Sequence, residues 1–187
     1  MKKVLLVAVM VLTSAISFAQ QKQGSLTIQP KIGLNIASLT DYDDSDPRFG
    51  VVAGAEFMYQ ATDMVGLSFG ALYSMQGAKY DKATTKLDYI NIPILANVYV
   101  APGFAVKLGL QPGFNVNSKV KVKGNGGAIE SDLDVKTVDL SIPIGLSYET
   151  NNFVIEGRYN WGVTKVAKNC DWKNSVFQFT LGYKLPL

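Results

Sequence analysis

Histidine is missing altogether from this chain of 187 residues, and cysteine occurs once. Without histidine there is no Ser-His-Asp or Cys-His nucleophilic arrangement, and no imidazole to hold a metal. Cys170 has no partner for a disulfide within the chain. It is either an unpaired thiol of a loop or wall, or a link to another molecule. Charge is scarce, with Asp, Glu, Lys and Arg at 18% of residues. The 18 basic and 15 acidic residues nearly balance once Lys2 and Lys3 at the start are set aside. Such a chain offers no basic surface for nucleic acid. Past residue 19 no stretch of about 18 consecutive apolar residues occurs, so no membrane-spanning helix is predicted there.

What the chain does have begins with a leader. Met1-Lys2-Lys3 is a short basic region, residues 4–12 are apolar, and Ser17-Phe18-Ala19 places small residues where a signal peptidase cuts. Cleavage is predicted between Ala19 and Gln20, giving a signal peptide over 1–19 and one domain over 20–187. The competing reading, an uncleaved membrane helix, would need an apolar run of about 20 residues. No cysteine follows the cut, which argues against a lipid anchor.

Behind the leader, two residue sets alternate. In Tyr89–Val100 the even positions are Ile90, Ile92, Ile94, Ala96, Val98 and Val100, and the odd ones are Tyr89, Asn91, Pro93, Leu95, Asn97 and Tyr99. Period-two alternation means strands with one apolar and one polar face. Eight such strands are predicted: Leu26–Ala37, Phe49–Gln60, Met64–Gln76, Tyr89–Val100, Gly103–Asn117, Lys136–Glu149, Phe153–Thr164 and Ser175–Leu187. The connections Thr40–Arg48, Gly77–Lys86, Ser118–Val135 and Lys165–Asn174 read as long polar loops. Ala61–Asp63, Ala101–Pro102 and Thr150–Asn152 read as tight turns. Short turns on one side and long loops on the other define an eight-stranded antiparallel up-and-down transmembrane β-barrel with both termini in the periplasm. Ile92-Pro93-Ile94 and Ile142-Pro143-Ile144 put proline inside strands, where it removes a ladder donor, and bends are expected there.

Alternation fits a soluble periplasmic barrel of lipocalin type equally well, with the apolar face inside and a small apolar ligand bound. The polar face favours the membrane reading. It is rich in glycine and serine, such as Gly33, Gly54, Gly109, Ser68 and Ser141, where a solvated face would carry Lys and Glu. Small residues suit the interior of a narrow barrel. Aromatics fall near both strand ends: Tyr59, Phe104, Tyr148, Phe153 and Tyr183 toward the short turns, and Phe49, Tyr73, Phe114, Trp161 and Phe177 toward the long loops. Two aromatic belts match the two membrane interfaces. The mid-strand charges of the polar face are Lys31, Glu56, Lys107, Asp139, Glu156, Arg158 and Lys184, a candidate lumen charge network, since unpaired charges there would be costly.

Three segments carry a family resemblance: Phe18-Ala19-Gln20, Tyr89-Ile90-Asn91-Ile92-Pro93, and the ending Phe177-Gln178-Phe179-Thr180-Leu181-Gly182-Tyr183-Lys184-Leu185. They resemble the PorT-like outer-membrane β-barrel proteins of Bacteroidetes over essentially the whole mature chain. The resemblance implies an eight-stranded barrel inserted by the outer-membrane assembly machinery, with the alternation from Phe177 to Leu187 as its sorting signal. The family's namesake is tied to secretion of surface proteins.

No reactive constellation accompanies this pattern. Glu156 and Arg158 share the polar face, as do Asp139 and Ser141, and a pairing network that fills the barrel accounts for them better than acid–base chemistry. Asp41, Asp43, Asp44 and Asp46 lack the central Gly and closing Glu of a calcium loop. Gly124-Asn125-Gly126-Gly127 has no following Gly-Lys-Ser and is not a phosphate loop. Lys119, Lys121 and Lys123 either meet lipopolysaccharide phosphates or continue the flanking strands into solvent. The expected protein is therefore a non-enzymatic small barrel of the bacterial outer membrane, without cofactor or metal. Its role would be structural or interactive: adhesion, envelope integrity or a secretion-associated task. Its surroundings would be membrane lipid, lipopolysaccharide and unknown surface partners.

Overall fold

The structure is a computed structural model that describes residues 22–40, 46–80, 83–124, 127–167 and 171–187, with backbone alone at 123–124 and 127–128. The predicted leader, Asp41, Asp43, Asp44, the loop tip at 125–126 and Cys170 lie outside the described residues. The strands are β1 (Leu26–Thr40), β2 (Asp46–Gln60), β3 (Val65–Tyr80), β4 (Ala83–Asn91), β5 (Ile94–Ala101), β6 (Phe104–Gly124), β7 (Gly127–Asp132), β8 (Val138–Thr150), β9 (Phe153–Gly162), β10 (Lys173–Tyr183) and β11 (Leu185–Pro186). β4 and β5 form one wall strand, β11 continues β10, and β7 pairs with β6 alone, so the wall has eight strands.

Every neighbouring pair is antiparallel, and the sheet closes on itself. β1 pairs with β2 on one side and with β10 on the other, from Lys31↔Gly182 to Thr40↔Lys173. Closure leaves no sheet edge in the wall, which is what a β-structure needs to lie in hydrocarbon. Residue chemistry serves the tight turns. Gly103 has φ +72° and Asn151 φ +50°, left-handed values that glycine and asparagine adopt most readily.

The two faces divide as outside apolar and inside polar. Ile32, Leu34, Leu108 and Phe179 are each more than half exposed, whereas Gln29, Asn35, Asn97 and Gln178 are buried. A lipocalin-type barrel requires the reverse, so the soluble alternative is not the fold observed. Both aromatic groups lie on the outward face. Phe153 and Tyr183 meet edge-on at 5.1 Å near the short turns, and Tyr159 and Phe177 lie 4.7 Å apart toward the loops. Inward glycines let neighbouring strands come close. A Cβ on Gly33 would sit 1.9 Å from the Phe179 carbonyl oxygen, and one on Gly109 would sit 2.0 Å from that of Ile94.

The proline segments differ from the expected pair of bends. Ile92-Pro93 does interrupt a strand, but the register is the same on both sides: Leu72↔Asn91 before, Phe69↔Ile94 after. The Ile92 amide donates to Pro112 O at 2.8 Å, and Pro93 O accepts from Gly70 N at 3.2 Å, so only the missing proline donor is lost. At Pro143 the strand runs on, paired Ile142↔Trp161 and Pro143↔Asn160. The β6–β8 ladder resumes only at Gln111↔Ser141 after Leu108↔Ile144, so the absent N–H falls where no pair forms.

The irregularity that matters lies elsewhere. Asp88 pairs with Asn117 but Tyr89 with Asn115, which makes Val116 an extra residue on β6. One extra residue turns the alternation over. Beyond it Leu87, buried, stands opposite Ser118, so Val120 and Val122 turn toward the barrel axis. Lys119 and Lys121 turn away from it, beside Lys86. The predicted loops Gly77–Lys86 and Ser118–Val135 are accordingly largely strand. Their Thr, Val and Lys residues alternate with the same period as the wall, and β3, β4, β6 and β7 continue as a sheet past the end of β8.

The division of faces predicts a depth-dependent penalty for charge. Leu34→Arg, at the middle of β1, should lower stability in lipid by about 2–4 kcal/mol, and Tyr59→Arg, near the short-turn rim, by about 0–1 kcal/mol. Urea titration of folding into bilayers measures both. Equal effects would mean that the outward face does not contact hydrocarbon.

Candidate functional site

Five of the seven candidate lumen charges converge at mid-barrel. Alternation on β1, β2, β6 and β9 turns Lys31, Glu56, Lys107, Glu156 and Arg158 inward, and all are buried. Lys31 Nζ lies 2.6 Å from Glu56 Oε2 and 2.8 Å from Glu156 Oε2. Lys107 Nζ donates to Glu156 Oε2 at 2.7 Å, and Arg158 Nη2 donates to Glu56 Oε1 at 2.9 Å. Arg158 also pairs with Glu156 Oε1. Each carboxylate is shared by at least two cations, which is the arrangement that makes buried charge tolerable.

The other two candidates stand apart. Lys184 pairs with Glu149, whose second oxygen accepts from Tyr99 Oη at 2.9 Å. Asp139 meets no cation among the described residues. It accepts from Thr164 Oγ1 at 2.6 Å and from Asn174 Nδ2 at 3.1 Å. Its strand neighbours in the wall supply polar atoms but no charge, so the expected single network is a cluster of five with two outliers.

Sequence reading missed three buried groups. Glu149 ends its predicted strand on the inward face, a position that alternation alone marks. Arg48 ends a predicted loop and Asp88 precedes a predicted strand, yet Arg48 Nη1 lies 3.5 Å from Asp88 Oδ1, and Asp88 also accepts from Tyr73 Oη at 3.1 Å and Asn117 Nδ2 at 2.9 Å. The third group is apolar. Leu39, Ala78, Leu87, Tyr89 and Val166 form a buried cluster at the long-loop end, with Val135 and Trp172 packed on it. Lys136 N donates to Val166 O at 2.8 Å, and Val166 N to Trp172 O at 2.8 Å, so two connecting segments are tied over the mouth. At the short-turn end Met58, Tyr99 and Ala105 make a smaller cluster. No local signal marks these plugs, because apolar residues on the polar face read as noise until the ring places them together.

A closed ring of antiparallel strands, lipid-like outside, with a charged cluster at mid-lumen and apolar clusters toward both ends, defines a small transmembrane β-barrel. Comparison with known proteins gives the same class. Residues 18–168 match the family model described as outer membrane protein beta-barrel domain, and the chain belongs to that family. It is a protein of the bacterial outer membrane. The attachment invasion locus protein Ail of Yersinia pestis is similar in fold, with TM-score 0.57 and 18% identity over 88% of this chain and 100% of that one. Neisserial surface protein A follows, with TM-score 0.54 and 18% identity over 88% and 100%. Ail has also been crystallised with the heparin analogue sucrose octasulfate, in a structure similar to this one at TM-score 0.55 and 16% identity. No curated protein matches the chain.

Removing one member of the mid-barrel cluster should be costly. Glu156→Gln leaves three cations around one carboxylate and is expected to destabilise the folded barrel by about 3–5 kcal/mol. The outward Ile155→Leu should cost under about 1.5 kcal/mol. Denaturant titration of the folded, heat-modifiable gel band reads the difference.

Proposed function

We propose that this is a non-catalytic envelope barrel whose working surface is the sheet that rises past the wall at its long-loop end, not its lumen. The single observation that supports the reading is the double filling of the interior, by the five-residue ion cluster and by the apolar plug around Leu87 and Tyr89. A barrel of eight strands is just filled by side chains and leaves no wide channel. The projecting part, by contrast, is exposed. Tyr80, Val122 and Ile129 stand on its axis side, and Lys86, Lys119 and Lys121 on its outer side.

The outer side is of mixed sign. Asp132 stands opposite Lys119, and Glu130 opposite Lys121. Lys86 Nζ lies 2.6 Å from Glu130 Oε1, and that hydrogen bond and charge hold the Glu130 carboxyl below the usual carboxylate range. Lysines that leave the wall just where the outer leaflet ends are placed to meet phosphate groups of lipopolysaccharide. Sucrose octasulfate on Ail is a polyanion on a barrel of the same fold, and an analogy only. The finer assignments belong to the same reading: a PorT-like member of the Bacteroidetes barrels, exported by a cleaved leader over 1–19 and inserted by the barrel assembly machinery through its last strand. Its role would be structural or adhesive, or associated with secretion of surface proteins.

The reading predicts no steady conductance steps in planar bilayers, and large regular steps would overturn it. It also predicts that Lys119→Glu with Lys121→Glu leaves heat-modifiable migration unchanged while less lipopolysaccharide co-purifies. Unchanged lipopolysaccharide content would remove that partner from the proposal.

A further inference from the structure

Three neighbouring inward side chains beside the ion cluster carry polar atoms without a partner among the described residues. They are Nε and Nη1 of Arg158, both side-chain polar atoms of Asn160, and both of Gln178. All three residues are at most 3% exposed. They are adjacent by construction of the wall, since Arg158 stands opposite Gln178 across β9 and β10, and Asn160 follows two residues along the same face. On the other side Arg158 stands opposite Gly145, which contributes no side chain to the lumen. Buried polar groups are almost always satisfied, and a group of orphaned polar atoms, four donors and two acceptors here, signals a water or an ion.

Charge selects between them. The mid-barrel cluster holds Lys31, Lys107 and Arg158 against Glu56 and Glu156, an excess of one positive charge. Lys184 and Glu149 cancel each other and leave that excess in place. Asp139 does not remove it. It lies six residues from Gly145 along β8, about 20 Å at the rise of an extended strand. An uncompensated charge at this depth is expensive, and the unpartnered Nε of Arg158 is a donor through which it is accessible. Neutral amides of Gln178 and Asn160 occupy the adjoining inward positions of the wall.

We propose that the lumen of this barrel holds one small monovalent anion, of halide type, bound by Nε of Arg158 with Asn160 Nδ2 and Gln178 Nε2 as further donors. The anion neutralises the excess charge of the cluster and completes its hydrogen bonding. The interior is thereby a binding site as well as a filler.

The test uses the full mature barrel folded in detergent. A site occupied only in the folded state raises stability with ligand concentration. The unfolding midpoint should therefore rise on exchange of gluconate for chloride at constant ionic strength. Protein refolded in bromide and crystallised should show an anomalous peak within hydrogen-bond distance of Arg158 Nε. Lys107→Met removes the excess charge and should abolish the chloride effect. Gln178→Leu, which leaves the ion cluster intact, should weaken it, and it carries the test if the first variant does not fold. A chloride-independent midpoint with no bromide peak would overturn the proposal, leaving water on these donors or a proton lost from Lys107. An equal chloride effect in wild type and in the variant that folds would overturn it as well, as non-specific salt stabilisation.

Discussion

The hydrogen-bonded seam between β1 and β10 is the constraint on which everything else rests. In hydrocarbon no water is available to an unpaired amide or carbonyl, so a strand with an open edge cannot remain there. Closing the ladder from Lys31↔Gly182 to Thr40↔Lys173 removes the edge. It also creates the difference between inside and outside. Once the ring is closed, each strand's two faces have different solvents, and the alternation becomes an instruction: Leu34 outward, Lys31 and Asn35 inward.

The interior follows from that enclosure. A ring of eight strands leaves a narrow space, and the inward glycines let the walls approach. Charges that would be prohibitive singly are held there by sharing, with Glu56 and Glu156 each contacted by more than one cation. The ends are handled differently, by apolar clusters whose tyrosines also bond polar neighbours, Tyr99 to Glu149 and Tyr89 to Asn174. Polar middle and apolar ends make the lumen a graded core, which supports the proposal that the working surface is the projecting sheet.

That sheet depends on one residue. Without the extra position at Val116, Lys119 and Lys121 would point over the mouth, and Val120 and Val122 would face outward. Inserting a residue into one strand exchanges the two faces from that point on. The wall below the bulge and the extension above it therefore obey the same periodicity in opposite phase.

Much of this protein was legible in its residue order. Period-two alternation over strand-length segments, with short and long connections in turn, is sufficient for the strand number, the antiparallel order and the identity of the two faces, because each is a local property of a pleated chain. Lys31, Glu56, Lys107, Glu156 and Arg158 were identifiable as inward charges for the same reason. The direction of the faces was supported by the glycine content of the polar one. Other features were decided only by the closed ring. Which charges meet depends on stagger between strands far apart in sequence, which is why Asp139 and Lys184 separate from the other five and Glu149 and Arg48 enter. The bulge at Val116 appears only when β4 and β6 are laid side by side. The plug of Leu39, Leu87, Tyr89 and Val166 exists only because closure brings three distant segments to one mouth, where apolar residues on the otherwise polar face find one another.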